Sequence, residues 1–222
     1  WLTVTLLVYA ATDALSQATG RHPLANPVLH AMWIIGVFLW LTNTSYQTYF
    51  GGAQFVHFLL GPATVALAVP LYENRRAIVA AIVPMLLALI VGSITAILSV
   101  VWLAQLAGLP DDVVRSLAPK SVTAGVAMGI AESIGGDPSF AAVAVILTGI
   151  IGAIVVTPLM NRLRISDFRA RGFALGLTSH GIGTARAFQV NAIAGAFAGI
   201  AMSLNALLTS LLVPLAATLL LR

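Results

Sequence analysis

The sequence predicts an all-α, polytopic membrane protein with about six to eight membrane segments, some of them interrupted or re-entrant. Three observations predict it. Charged residues make up only 8% of the 222 residues and hydrophobic ones 59%, whereas a soluble domain carries roughly 25% charged residues. Mean hydropathy is +1.00, so the chain cannot cover a water-facing surface. Apolar runs recur from end to end, separated by Gly, Pro or Arg, and no polar stretch is long enough for an aqueous domain. Residues 1–222 therefore read as a single membrane domain.

The elements follow from the interruptions. Leu2 to Ala18 reads as a first helix, closed by Gly20-Arg21-His22-Pro23. The stretch from Trp1 shows no methionine and no basic n-region, so it does not read as a signal peptide. Pro27 to Thr42 is a second helix, started by Asn26-Pro27, a cap followed by a first-turn proline. Asn43 to Gln54, NTSYQTYFGGAQ, reads as a polar, uncharged loop. Phe55 to Tyr72 is apolar but broken at Gly61-Pro62 and again at Pro70. Ile78 to Leu106 is long enough to span with tilt. Val113 to Ile134 is broken at Pro119, and Pro138 to Leu163 is an unbroken span. Arg171 to Val190 is broken at TSHGIG, and Ile193 to Leu221 is a last, long span.

Arginine placement orients these segments. Arg162, Arg164, Arg169 and Arg171 crowd one loop, which reads as cytoplasmic together with the turns holding Arg21 and Arg75-Arg76. The loops at 43–54, 107–112 and 132–138 carry no Lys or Arg and read as external. If 78–106 runs outward and 138–163 inward, the segment between them must enter and leave on one side. Val113 to Ile134 is therefore expected to be re-entrant. The net charge of +4 is explained by this topogenic bias, and a nucleic-acid partner is not expected. An internal echo supports a repeat: LGPATVALAV (Leu60 to Val69) and LAPKSVTAGV (Leu117 to Val126) match in Leu, Pro, Thr/Ser and Val at an offset of 119 − 62 = 57 residues. Such paired interruptions point to a transporter binding site, although ten residues of low-diversity apolar sequence also match by chance.

Two interruptions carry chemistry. In LAPKSVT, Pro119 removes a backbone N–H and frees neighbouring carbonyls. Such backbone survives at membrane depth only inside protein or beside water. Lys120 beside it costs at least about 2.5–3.5 kcal/mol to insert, and Ser121 and Thr123 add hydroxyls. Together with a freed helix N-terminus these make an anion pocket; the alternative is that Lys120 snorkels to an interface as an anchor. In TSHGIGTARA, Gly181 and Gly183 let backbone approach a ligand, Ser179, His180 and Thr184 supply donors, and Arg186 offers a fork suited to a carboxylate. His180 also reads as a proton-coupling group, or as a hydrogen-bonded core histidine, and Arg186 as a topogenic charge. Glu132 reads either as the binder of a coupling proton or cation or as a solvated residue at the rim of the Gly135-Gly136-Asp137-Pro138 turn. Pro62 and Pro119 are the helix breaks.

Other features carry less. His22, His30 and His57 lack metal-ligand spacing, and the absence of cysteine excludes thiolate sites and disulfides. No metal and no cofactor is expected. Tyr46 and Tyr49 read as interfacial aromatics, and Asp13, eight residues before Arg21, as a headgroup-level residue. Without a Walker, Ser-His-Asp or HExxH pattern an enzyme is not expected.

The strings LAPKSVTAGVAMGIAESIGG, AVILTGIIGAIVVTPLMNRLRI, ARGFALGLTSHGIGTARAF and GAFAGIAMSLNALLTSLL, with NPVL and LLGPATVALAVPLYENR upstream, resemble the LrgB/CidB family of bacterial membrane proteins over nearly the whole chain. They are also similar to the C-terminal membrane part of the plastidal glycolate/glycerate translocator. The resemblance implies one of two roles. One is a holin-like or antiholin-like partner of a small LrgA/CidA membrane protein, affecting murein hydrolase export and lysis. The other is transport of small monocarboxylates such as pyruvate, glycolate or glycerate. The chain departs from the family pattern at Ala124-Gly125, where Thr-Pro is usual, and at Ala194, where an acidic residue is frequent.

The residues favour the second role: Lys120 and Arg186 holding a 2-oxo or 2-hydroxy monocarboxylate, with Ser121, Thr123, Ser179, His180 and Thr184 orienting it during alternating access. The expected location is the inner (plasma) membrane. The expected partners are the carboxylate, the bilayer, an LrgA/CidA-like protein and further copies of the chain.

Overall fold

A computed structural model describes residues 1–59, 62, 65, 66 and 68–220. Among them every regular element is helical. The chain forms two compact units, Trp1–Val69 and Pro70–Arg222.

In the first unit, α1 (Leu2–Ala18) and α2 (Pro27–Leu41) stand where the apolar runs predict them. Asn26 starts α2 as its sequence predicts, its Oδ1 accepting from the N–H groups of Val28 and Leu29 at 2.9 and 3.1 Å. Asp13 reaches back to Arg21 at 3.7 Å. The predicted loop 43–54 is mostly wrong: α3 (Tyr46–Phe58) occupies it. Two glycines cost helix stability in isolation, but here Gly52 packs directly on Trp1. Trp1 also meets Tyr49 edge to face at 5.8 Å, and Tyr49 Oη lies 3.0 Å from Thr5 Oγ1. Packing against α1 overrides local preference. The Gly61-Pro62 break and the Leu60 to Val69 echo rest on residues 60, 61, 63, 64 and 67, which lie outside the described residues.

The second unit continues from α4 (Ala68–Glu73), which crosses from one unit to the other, to α5 (Arg75–Ala80) and α6 (Ile82–Leu106). The predicted single helix from Ile78 is thus divided at Ala81. Pro84 explains the division, since its ring collides with the carbonyl four residues earlier, that of Ala80, and supplies no N–H to it. Then come α7 (Asp111–Leu117), α8 (Ala124–Ser133), α9 (Pro138–Arg162), α10 (Phe168–Val190) and α11 (Ala192–Leu220). Of these, α6, α9 and α11 are long and apolar enough to cross a membrane.

The remaining helices make two hairpins. Residues 111–133 enter through α7, break at 118–123 and return through α8. Both ends of this hairpin lie together, because the Asp137 N–H donates to Ser116 Oγ at 2.7 Å and Gly136 packs on the Ser116 backbone. The expected re-entrant element is therefore present. Helix α10 is the second hairpin, folded at His180, whose φ of 44° and ψ of −134° leave the helical region. Its arms, 168–179 and 181–190, lie side by side. A methyl on Gly183 would sit 2.8 Å from the Leu175 carbonyl oxygen, and Phe168, Arg171 and Gly172 share one small cavity with Ala187 and Val190.

The hairpins dip from opposite ends of the unit. Val114 of the first clusters with Val101 and Ala104 near the end of α6, where Gln105 also donates to the Leu220 carbonyl at 3.1 Å. Phe173 and Leu177 of the second cluster with Met85, with Ala77, Ile78 and Ala81 packed against them. That end carries Arg75, Arg76 and the arginine-rich 162–171 loop.

Candidate functional site

The two hairpin breaks meet halfway along α6, α9 and α11, at Ser93, at Val145 and Gly149, and at Asn205. Asn205 joins them. Its Nδ2 donates to the Ser121 carbonyl at 3.1 Å and to the Leu177 carbonyl at 3.0 Å. Its Oδ1 accepts from Ser93 Oγ at 2.6 Å and Thr209 Oγ1 at 3.1 Å. One buried amide thus satisfies a carbonyl freed at each break, a requirement at membrane depth, where no water replaces a lost backbone partner.

Sequence reading missed Asn205. The signal was present, an asparagine within the apolar run GIAMSLNALLTS, because a polar side chain facing lipid is costly and must face protein. Ser93 and Thr209, its partners, sit in similarly apolar surroundings.

The second break is seated on α9. The Val145 carbonyl can only accept, so the 2.9 Å contact with His180 Nε2 places a proton on Nε2. Gly149 makes room for the ring: a Cβ there would lie 2.7 Å from His180 Cε1. Gly152, one turn on, leaves space for the Ser179 hydroxyl. These two glycines, three residues apart on one face, are a second signal that the sequence carried. The first arm of α10 also lies directly on α11, with Gly172 and Gly176 touching the carbonyls of Ala194 and Ala198. Ala194 is buried at this contact. Thr184 Oγ1 donates to the His180 carbonyl at 2.8 Å and approaches Met202 Sδ at 3.8 Å.

Lys120 lies at the first break, half-buried, its Nζ 3.5 Å from Ser121 Oγ and near enough to His180 to act on it electrostatically. Ser121, Ser179, His180 and Thr184 are buried around the junction. Thr123 stands at the N-cap of α8 and Gly183 inside the fold-back, while Gly181 is exposed. Pro119 is fully buried in the break it was expected to make.

Arg186 is placed elsewhere. It is buried on the second arm of α10, 3.5 Å from Gln189 Oε1. It lines a cavity of about 20 Å³ with Thr157, Met160 and Arg171, toward the arginine-rich end, and Lys120 is not among the walls. The expected pairing of Lys120 with Arg186 in one pocket is not what this cavity shows. Arg186 stands six residues past the His180 fold, roughly 9 Å along the return arm. Glu132 is exposed in the last turn of α8, at the far end of the hairpin from Lys120.

Each break holds both the N-terminus of a return arm (α8 or 181–190) and the C-terminus of an entering arm (α7 or 168–179), so positive and negative helix ends meet at the junction and Lys120 supplies its net positive charge. Of the carbonyls at the breaks, those of Ser121 and Leu177 are taken up by Asn205. Outside the membrane-spanning segments, Asp167 caps α10 at the Arg169 N–H (2.8 Å) and bonds the Arg169 guanidinium at 2.7 Å. That side-chain pairing holds its carboxyl below the usual carboxylate range.

Fold and site together define a helical membrane protein in which two opposed re-entrant hairpins meet at a buried polar junction. The chain belongs to the LrgB-like family, whose model matches residues 5–219. It is 35% identical to the uncharacterized protein YwbG of Bacillus subtilis, over 94% of this chain and 92% of that one. It is 36% identical to the uncharacterized protein YxaC of the same organism, over 96% and 93%. To the holin-like protein CidB of Staphylococcus epidermidis it is 30% identical, over 95% and 92%. No solved structure matches.

Proposed function

We propose that this protein is a carrier rather than an enzyme, and that it moves a small monocarboxylate of the pyruvate, glycolate or glycerate class through the hairpin junction by alternating access. The observation that carries the reading is the convergence of Lys120 with two inward-pointing helix N-termini at mid-bundle. An anion is the ligand such a site stabilises, and a chain that only perforates a membrane has no use for two backbone breaks held by one asparagine. Lys120 holds the carboxylate; Ser121, Thr123, Ser179 and His180 orient the oxo or hydroxy group. Arg186 acts one step away, toward the arginine-rich mouth. The protein sits in the inner (plasma) membrane as a multi-pass chain with its arginine-rich end cytoplasmic.

The relative named as a holin-like protein, 30% identical over 95% of this chain, supports a second reading: a holin-like or antiholin-like protein that assembles with an LrgA-like partner and with copies of itself to control murein hydrolase export and lysis. By name the comparisons favour this second role, and one experiment separates the two. In proteoliposomes, a carrier gives saturable uptake of labelled pyruvate or glycolate, lost in Lys120→Met and reduced in Arg186→Ala, with and without an LrgA-like protein. A holin-like pore leaks unrelated solutes such as sucrose and is indifferent to Lys120→Met.

A further inference from the structure

Two spans of the second unit have the same parts in the same order. Helices α6 and α9 are each 25 residues long, and each is followed by a hairpin. The helix starts are 138 − 82 = 56 residues apart and the hairpin starts 168 − 111 = 57. The copies are inverted, since one hairpin enters from the arginine-rich end and the other from the opposite end.

The copies are not in the same state. Between residues 80–92 and 167–178 lies a groove of about 610 Å³. Asp167 and Arg169 stand at its mouth and Gly92 and Thr178 at its inner end, next to Ser93 and Ser179 of the junction. Shifting these walls by the offsets of their elements, 80 + 56 = 136 to 92 + 56 = 148 and 167 − 57 = 110 to 178 − 57 = 121, gives the corresponding walls of the other copy. There the space is filled. Val114, Ala118 and Val145 pack in one cluster, Gly136 rests on Ser116, and the Asp137 N–H bonds Ser116 Oγ at 2.7 Å.

We infer that residues 82–133 and 138–190 are an inverted-topology repeat, that the groove is the open access path from the arginine-rich end to the junction, and that the seam of Ser116 on Gly136-Asp137 is the closed gate of the opposite path. The inference rests on the carrier reading. Inverted repeats exchange their two conformations, so the asymmetry seen here is one of two equivalent states. In the other state the seam parts and the groove closes. The walls are mostly apolar, with Thr178 at the inner end donating its hydroxyl to the Ala174 carbonyl at 2.8 Å, so thiol labelling is what separates a water path from a lipid-filled cleft.

The chain has no cysteine, so single thiols report cleanly. In nanodiscs, where both faces meet solvent, Thr178→Cys should react quickly with a membrane-impermeant maleimide and Ser116→Cys slowly. Filling the groove with Ala88→Trp should slow the first and speed the second by at least about tenfold, as a ligand-free population shift does. Ala174→Trp fills the same groove from the other wall and replaces Ala88→Trp if that variant does not fold. An unchanged Ser116→Cys rate in a filled, folded variant overturns the gate, and a Thr178→Cys that reacts only with a lipid-soluble maleimide overturns the path. None of these rates depends on uptake. Absence of carboxylate transport with the reciprocal labelling intact would remove the carrier reading and leave the repeat standing.

Discussion

The two hairpins solve the same problem by different chemistry. The first breaks over several residues, with Pro119 buried and Lys120 and Ser121 beside it, and packs its apolar face into the main core. The second breaks at one residue, His180, held at positive φ and seated on two glycines of α9. A proline weakens the helix locally by removing an N–H, although it does not always break it, since Pro158 and Pro214 sit inside α9 and α11. A histidine break needs neighbours: the residue would otherwise continue the helix, so it depends on the Val145 carbonyl and on the space over Gly149. The first break is thus favoured locally, and the second is imposed by its surroundings.

Asn205 is common to both, so Asn205→Leu is the severest test of the comparison. It leaves the Ser121 and Leu177 carbonyls and the Ser93 hydroxyl without their partner, at about 1–3 kcal/mol for each orphaned group, less whatever relaxation recovers. A loss of about 3 kcal/mol or more is expected by thermal unfolding in detergent. A fall in stability under 1 kcal/mol would mean that each hairpin holds its own break.

Function should divide along the same line. Lys120→Met should reduce carboxylate uptake about a hundredfold, equivalent to about 2.7 kcal/mol, with little change in melting temperature, because a desolvated charge is removed and a similar stem kept. Arg186→Ala should reduce it by less than tenfold, because Arg186 stands six residues past the fold of the second hairpin and lines a separate cavity. Equal losses would show that both hairpins hold the substrate.

The glycine seat should be felt only by the histidine break. Gly149→Ala places a methyl against the His180 ring, at roughly 1–2 kcal/mol for overpacking. Loss of the Val145 bond should appear as a changed imidazole signal in NMR of selectively labelled protein. The same substitution at Gly125, which has nothing within 4 Å of an added Cβ, should leave stability unchanged or slightly raise it. At the bottom of the scale, Asp13→Asn breaks an ion pair at 3.7 Å whose side chains are 36% and 28% exposed. It should change the melting free energy by under about 0.5 kcal/mol.

Composition and punctuation were enough to read the membrane class, most of the spans, the N-terminal cap of α2 and the re-entrant course of 113–134. Each follows from a rule that acts within a few residues or on the total apolar content: too few charges for water, proline against helix, arginine on one side. The family motifs located the two breaks as well. What local rules misjudged were segments in which a partner decides the outcome. Residues 46–58 are helical because Gly52 and Tyr49 find Trp1. The run 171–190 looks like an interrupted span but folds back on itself.

The sequence by itself determined that this chain lives in lipid and marked the interruption at Pro119, because solvation and proline sterics act locally. Only the tertiary structure decided that the breaks meet at Asn205, that Lys120 lies there while Arg186 lines a separate cavity, and that a groove lies at one end of the unit while the seam at the other is packed. Those are matters of which distant residues touch. Asn205 stands 84 residues from the Ser121 carbonyl it binds, a separation that no local pattern encodes.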